Sequence, residues 1–478
     1  MSVPLRPAGE IGGLAAQLRA VLGEAHVLTG ADDRLPYLVE ERRQYQGAAP
    51  IVVRPGSPRE VSAIVQICHA ACVPMVPQGG NTGLVGGSVS TAGEVLISLG
   101  RLNRIRDIDP ENFTITVDAG CILQNVQAAA AAAGRLFPLS LGAQGSCQIG
   151  GNLASNAGGI NVLRYGNARD LTLGLEVVLP DGQIWDGMRA LYKDNTGYAL
   201  KHLFIGSEGT LGIITGAVLK LFPPLRERQV ALCALPSIAQ VPKLLALARE
   251  HCGETITAFE IMSETAIAFA VRHGAANPVA DPAPWFVLIE LADTGTGQLR
   301  TKLEALLEEA LAGSLIADAA MAMSEAQIEA IWHLREAIPE AQKREGGSIK
   351  HDISVPVSKI PAFIAQAGGA VHALLPEARI IAFGHAADGN IHYNISQPSG
   401  AEKQAFLARW EEMNKIVHDI VVSLGGSISA EHGIGLLKAG ELAHYKDPLS
   451  LALMRQIRGA LDPDGLMNPG KILGPVRR

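Results

Sequence analysis

The chain carries 13 histidines in 478 residues, and two of them stand where turn chemistry can aim them at one point. In RIIAFGHAADGNIHYNIS, residues 379–396, Asp388-Gly389 separates two apolar-rich runs, a strong two-residue hairpin signal. Such a turn pairs Ala387 with Asn390, Ala386 with Ile391 and His385 with His392. Directly opposed side chains have Cβ atoms about 4.5–5.5 Å apart, close enough for both imidazoles to bind one ion. Asn394 falls on the same strand face as His392. Either histidine alone reads more simply as a hydrogen-bonded structural residue, and it is their cross-strand register that favours a metal. A catalytic zinc site takes three protein ligands and keeps one position open. The third ligand is expected in SISAEHGIGLLK, residues 427–438. Neighbours in an extended segment point opposite ways, so Glu431 would reach the metal while His432 faces a substrate. Glu431 reads equally as a carboxylate at a helix N-terminus, favoured by the dipole, and the residues leave both readings open.

Glycine supplies the second pattern. The chain holds 52 glycines against 4% aromatic residues, and glycine costs backbone entropy unless a turn or a closely approaching ligand needs it. The densest runs are residues 79–87, 142–166 and 206–216, with smaller groups at 384–389, 425–435 and 465–474. PQGGNTGLVGGS, residues 77–88, follows a strand-like VPMVP and offers successive backbone N–H groups as an anion-binding nest. It is neither G-x-x-x-x-G-K-[ST] nor a G-x-G-x-x-G opening a helix, which weighs against ATP hydrolysis and Rossmann-type NAD binding. One such run is as easily a connector with no ligand. A second, GAQGSCQIGGNLASNAGGINVLRYGNARD, and a third, LFIGSEGTLGIITG, argue for a ligand.

These residues need a scaffold of some size. The length predicts two or three domains with full cores. A net charge of −7, from 40 Lys+Arg against 47 Asp+Glu, provides no basic field for nucleic acid. Six cysteines (Cys68, Cys72, Cys121, Cys147, Cys233, Cys252) are too sparse for a disulfide framework. They are expected reduced, with Cys68 and Cys72 on one helix face. No apolar stretch reaches the roughly 18 residues that span a membrane, and the start lacks a signal-peptide pattern. A soluble, cytoplasmic chain is expected, with monomer and homodimer both open.

IVVRP reads as a strand, and Ser57 to Glu60 spells a capping box, with Pro58 at the first helical position of a helix running to about Cys72. AAAAAAG at 128–134 reads as a helix stopped by Gly134. Pro223-Pro224, after GIITGAVLKLF, marks a domain boundary. Beyond it KLLALARE and KLEALLEEALAG show the apolar spacing of amphipathic helices.

In VVRPGSPREV, PQGGNTGLVGGS, GGNLASNAGG and GSEGTLGIIT, residues 50–225 closely resemble the FAD-binding domain of the vanillyl-alcohol oxidase / p-cresol methylhydroxylase superfamily. The branch is that of the glycolate-oxidase-subunit-like and D-lactate dehydrogenases. The resemblance implies an α+β fold. Its parts would be a two-subdomain FAD-binding domain over 1–225, an α+β substrate-binding domain with an antiparallel sheet and the metal hairpin over 226–424, and a small C-terminal helical segment over 425–478. It implies FAD with its pyrophosphate along Gly79, Gly80, Asn81, Thr82 and Gly83, beside Gly86, Gly87 and Ser88, with Pro77 also contacting the cofactor. Pro138, Gly142, Ser146, Gly150, Gly151, Asn152, Ser155, Asn156 and Gly159 would surround the flavin, with Glu208, Gly212 and Ile214 nearby. Some relatives attach the flavin through a histidine in the first run. No His or Cys stands between Gln78 and Ser88, so non-covalent FAD is expected, and Cys147 is read as a small buried residue.

FGHAADGNIHYN and SISAEHGIG are similar to the C-terminal signatures of the D-2-hydroxyacid dehydrogenase branch, which includes D-2-hydroxyglutarate dehydrogenase. There the residues matching His385, His392 and Glu431 bind zinc, the one matching His432 is the catalytic base, and Asn394 would contact substrate. DPDGLMNPGKIL matches as well, and its Asn468 would return to the flavin.

An acidic chain that binds an acid must concentrate positive charge locally. Arg335 lies in a helical pattern and Lys350 shares a strand face with Asp352, opposite Ile349 and Ile353. By themselves these read as a surface ion pair and a solvated strand end. The resemblance raises both to substrate-binding residues of the hydroxyglutarate enzymes. One departure is Pro339, where those enzymes carry a threonine one helical turn after the arginine.

The expected activity is oxidation of a D-2-hydroxy acid, D-2-hydroxyglutarate foremost, to the 2-oxo acid with hydride transfer to flavin N5. Zinc would act as Lewis acid and His432 as base. The family implies an electron-transfer flavoprotein or a quinone as acceptor, rather than NAD or oxygen. The alternatives are the same chemistry on D-lactate or D-malate, or a flavin-binding electron-transfer subunit of a glycolate-oxidase-like complex.

Overall fold

A computed structural model describes residues 8–40, 42–91 and 93–474; the outermost ends of the expected domains, 1–7 and 475–478, lie outside these. The chain forms two compact units. One comprises the residues up to Gly159, Tyr165–Pro224 and the chain from Glu431 onward; the other comprises Ile160–Arg164 and Leu225–Ala430. The main passage from the first unit into the second falls directly after Pro224, where two prolines can extend neither a helix nor a sheet ladder.

The first unit holds two sheets. In one, Ile51–Val53, Val95–Ser98 and Met75–Gln78 run parallel in that order, with Val27–Leu28 antiparallel at the edge. The helix Pro58–Ala70 follows the first of these strands and buries Val61, Ile64, Val65 and Cys68. Ser57 caps it by accepting from the Glu60 N–H at 3.2 Å, while the Glu60 carboxylate reaches back to the N–H of Gly56 at 2.7 Å. The helix ends at Ala70, so Cys72 does not share its face with Cys68; Cys72 is exposed in a left-handed turn with φ 50°. The second sheet has five antiparallel strands, among them Thr172–Val178 and Ile213–Lys220. The chain's end returns to the first sheet: Met75 donates to Leu466 O and Asn468 donates to Met75 O, both at 2.8 Å. That return adds an extended segment beside the strand that leads into residues 79–88.

The second unit is built on a seven-stranded antiparallel sheet. Its order is Asp318–Met321, Glu227–Leu235, Trp285–Asp293, Ile256–Ser263, Arg379–His385, Asn390–Ser396, Ser348–Ser354. Helices cover both faces, so central strands read as near-continuous apolar runs rather than alternating ones. Ile391, Tyr393 and Ile395 pack on one side with Ile349 and Ile353 and with the helices Val241–Cys252, Leu299–Ala312, Ile360–Leu374 and Trp410–Ser423. On the opposite side Ile381 and Phe383 meet the helices Glu264–Arg272, Glu325–Glu336 and Ile338–Arg344. Each such Ile or Phe contributes about 1.5–3 kcal/mol by leaving water. Among the described residues no helix is long and apolar enough to cross a membrane.

Candidate active site

The expected hairpin forms, with its register displaced by two residues. Phe383, not His385, lies opposite His392, and the loop spans residues 386–389 rather than two residues. The cause lies outside the hairpin. A Cβ at Gly389 would stand 2.0 Å from Val355 O, so this glycine is required by a tertiary contact, and Asp388 accepts the Asn390 N–H at 3.0 Å to close a wider turn. An even displacement keeps both histidines on one face as diagonal neighbours. Their ring centroids are 5.7 Å apart at an interplanar angle of 77°.

Both imidazoles present Nδ1 to a buried carboxylate. His385 Nδ1 is 2.5 Å from Glu260 Oε1, and His392 Nδ1 is 3.8 Å from Asp352 Oδ1. Glu260 holds the proton on His385 Nδ1 and leaves its Nε2 lone pair as the ligand, which is how metal-binding histidines are oriented, whereas Asp352 stands beyond hydrogen-bond distance from His392. Glu260 sits in Ile256–Ser263, a strand buried at every position. Its other oxygen takes the Nε–H of Arg335 at 2.8 Å, and the Arg335 guanidinium carbon stands 4.7 Å over the Phe383 ring. Full burial alone would raise the Glu260 carboxyl, yet the Arg335 guanidinium and the hydrogen bonds from His385 and Arg335 hold it below the usual carboxylate range. Glu260→Ala would strand a buried guanidinium, and we expect a loss on the order of 3–5 kcal/mol in unfolding free energy by denaturant titration. A surface-like change of a few tenths would contradict this geometry.

The remaining expected anchors share this face. Lys350 lies opposite Asn394, and Asp352 opposite His392. Asn394 is buried and donates to Gln342 Oε1 at 2.8 Å. Arg335 lies in the last turn of the helix Glu325–Glu336, and a new helix starts at Ile338 with Pro339 in its first turn. Pro339 has no N–H to give the Arg335 carbonyl four residues earlier, which accounts for the break. Glu260 had no signal in the sequence beyond being a polar residue in an otherwise apolar stretch, and Gln342, among Glu340, Lys343, Arg344 and Glu345, had none.

In the first unit, the glycine-rich runs separate by use. Gly80 and Gly159 are needed by chain packing, since a Cβ would stand 2.2 Å from Ser146 O at the former and 2.0 Å from Ser140 O at the latter. Gly83, Gly142 and Gly151 have nothing within 4 Å of a built Cβ, so backbone there faces open space. The first loop is closed on itself by Ser88, which donates to Asn81 Oδ1 at 3.0 Å; Asn81 has φ 55° and donates to Val39 O at 2.7 Å. Two side chains near the chain's end clasp it. Asn468 Nδ2 donates to Gly87 O and Glu208 O at 2.8 and 2.6 Å, and the fully buried Lys471 Nζ donates to Val89 O at 2.6 Å. Burial draws the Lys471 ammonium down to about 8. In the sequence, a lysine within the apolar GKIL is the visible trace of the Lys471 clasp.

Pro77 closes toward these loops from the strand Met75–Gln78. Gly150, Gly151 and Asn152 lie in the short helix Ile149–Ala154, with Ser155 its C-cap and Asn156 accepting the Arg169 N–H. Ile214 is in the strand that Gly212 precedes. Glu431 begins the final stretch of this unit and accepts the Gly159 N–H on Oε1 at 2.7 Å, with His432 next in the chain. Ala430, its other neighbour, belongs to the second unit and donates to Asp352 O at 3.3 Å.

Residues 225–472 match the family model of the FAD-linked oxidases, C-terminal domain, and residues 49–187 match the FAD binding domain. The chain belongs to the FAD-linked oxidase family. This oxidase-family chain is 38% identical over 457 residues to the mitochondrial D-2-hydroxyglutarate dehydrogenase of Arabidopsis thaliana, covering 95% of this chain and 80% of the relative. It is 40% identical over 421 residues to the D-2-hydroxyglutarate dehydrogenase of Xanthomonas citri pv. viticola, covering 88% of each. In fold it is similar to p-cresol methylhydroxylase with substrate bound, at TM-score 0.76 and 17% identity over all of both chains. The open backbone at Gly83, Gly142 and Gly151 fits a flavin dinucleotide of this family, because side chains there would occupy the space a ligand needs. The Cys147 thiol is buried and pushed up by that burial, which does not suit a nucleophile for flavin attachment.

Proposed function

We propose that this FAD-dependent enzyme oxidises a D-2-hydroxy acid, D-2-hydroxyglutarate foremost, to the 2-oxo acid, with FAD held non-covalently and a divalent metal, zinc by preference, on His385, His392 and Glu431. The observation that carries the reading is the His385/His392 pair on one sheet face, with Glu260 hydrogen-bonded to His385 Nδ1 and Asp352 beside His392. Two imidazoles so oriented, with a carboxylate as third ligand, make the donor set of an open catalytic zinc site. The names of the relatives supply the substrate class. When bound, the flavin supplies a hydride acceptor and the metal a Lewis acid for a hydroxyl oxygen.

The chain's own residues do the rest. His432 takes the hydroxyl proton as general base. Arg335, its Nε committed to Glu260, keeps a forked guanidinium edge for a substrate carboxylate, and Lys350 and Asn394 extend a polar face suited to a second one. Electrons then pass to an electron-transfer flavoprotein or a quinone. Pro339 supplies no hydroxyl, so selectivity for the distal carboxylate falls to Lys350.

The test is dye reduction by the purified holoenzyme with D-2-hydroxyglutarate, D-malate and D-lactate, repeated for Lys350→Ala. A charged hydrogen bond is worth about 1.5–3 kcal/mol, so kcat/KM for hydroxyglutarate should fall on the order of 10- to 100-fold while that for lactate holds. Equal losses on both acids would contradict the distal-carboxylate role.

A further inference from the structure

Glu208 is the one charged residue of the third glycine-rich run, LFIGSEGTLGIITG, and every polar group it has is spent on the chain itself. Its backbone is left-handed with φ 50°, a conformation a non-glycine residue adopts only when its surroundings enforce it. Its N–H donates to Ala154 O at 2.9 Å, and its C=O accepts from Asn468 Nδ2 at 2.6 Å. The side chain crosses to the segment after His432. Oε1 accepts the N–H of Ile434 and Oε2 that of Gly435, each at 2.7 Å. A Cβ at Gly433 would lie 2.7 Å from Glu208 Oε1, so the carboxylate takes the room that any side chain at 433 would need. The other end of the same turn is tied too, since Glu431 Oε1 accepts the Gly159 N–H at 2.7 Å. His432 therefore sits inside residues 431–435, pinned at one end to the second glycine-rich run and at the other to the third.

We propose that Glu208 is a positioning residue whose carboxylate fixes the 431–435 turn and so sets where His432 stands relative to the flavin cradle of the same unit. The proposal rests on the reading of His432 as the proton acceptor. Two backbone N–H groups on one carboxylate make charge-assisted bonds, shorter and about twice as strong as neutral ones, and backbone donors cannot rotate away as side chains can. Burial pushes the Glu208 carboxyl up, and the two N–H donors and the charges of Lys438 and Lys471 offset this only in part. This differs from direct flavin binding by Glu208, because both of its oxygens are already given to Ile434 and Gly435.

Two variants test it in the holoenzyme. Glu208→Gln keeps the size but turns one acceptor oxygen into a donor facing an N–H; Glu208→Asp keeps the charge but is one methylene short of the turn. Both should retain parental FAD content. Hydrogen exchange in peptides spanning 431–437 should quicken about tenfold or more as the Ile434 and Gly435 bonds open. The limiting rate of flavin reduction by substrate should fall on the order of 100-fold, the cost of roughly 1 Å of misplacement at a reacting group. The half-saturating substrate concentration should move by less than about threefold. Unchanged exchange at 434 and 435 would overturn the proposal, as would a loss of activity that tracks flavin loss with the rate per bound flavin unaltered. If the parent itself reduces its flavin with no D-2-hydroxy acid, the proposed function fails, while the exchange measurement still decides whether Glu208 holds the turn.

Discussion

His392→Ala should yield a yellow protein that retains its flavin, lacks stoichiometric metal, and reduces dye at least about a thousandfold more slowly than the parent. The magnitude follows from the several kcal/mol a Lewis acid supplies to a developing oxyanion, with each 1.4 kcal/mol worth tenfold. His392 is a cleaner target than His385. Its Nδ1 is 3.8 Å from Asp352, whose Oδ1 also accepts from Asn390 Nδ2 at 2.9 Å, so the carboxylate stays paired when the imidazole goes. Removing His385 would take a partner from Glu260, fully buried and already committed to Arg335, and would mix folding cost into the result. Flavin should persist because the glycine-rich cradle belongs to the first unit and both histidines to the second. Chelation of the parent should reproduce the phenotype, and zinc should restore the parent but not the variant. Loss of flavin together with metal would instead make the metal structural.

The second large effect is expected at His432. His432→Asn should keep FAD and metal at parental levels and lower kcat on the order of 100- to 10,000-fold, the range general-base removal spans. The sign of the pH response is fixed by the role. A base must be unprotonated to accept the hydroxyl proton, so the parental rate should fall as pH drops, and the variant should lose that acid limb. Stopped-flow flavin reduction across pH reads both quantities. A variant within tenfold of the parent that kept its acid limb would assign proton transfer elsewhere.

The hairpin shows how far sequence carries such a site. Alternation placed His392 with Asn394, and Lys350 with Asp352, because a period of two is a local property of the strand, while the pairing of 348–354 with 390–396 that unites the two sets is long-range. Register depends on more than the turn residues. Asp388-Gly389 signals a two-residue turn, but Gly389 is there to let Val355 O approach, a contact 34 residues distant in sequence that no local pattern encodes. Glu260 escaped for a related reason: its partners Arg335 and His385 are 75 and 125 residues away, and its own strand reads as uniformly buried. The three glycine-rich runs were legible as a pattern that argues for a ligand. Which glycines face open space, as Gly83 does, and which make room for a neighbouring carbonyl, as Gly80 does, is decided by long-range packing. The same holds for Cys72, assigned to a helix that stops at Ala70.

The most direct test is an anaerobic titration of the metal-replete holoenzyme with D- and L-2-hydroxyglutarate, following the flavin absorbance and the 2-oxo acid formed. The D acid should bleach the flavin fully with one 2-oxo acid per flavin, the L acid should leave it oxidised, and prior chelation should stop the bleaching. A flavin that stays oxidised with every D-2-hydroxy acid, or one that bleaches as fast after the metal is stripped, would contradict the proposed function.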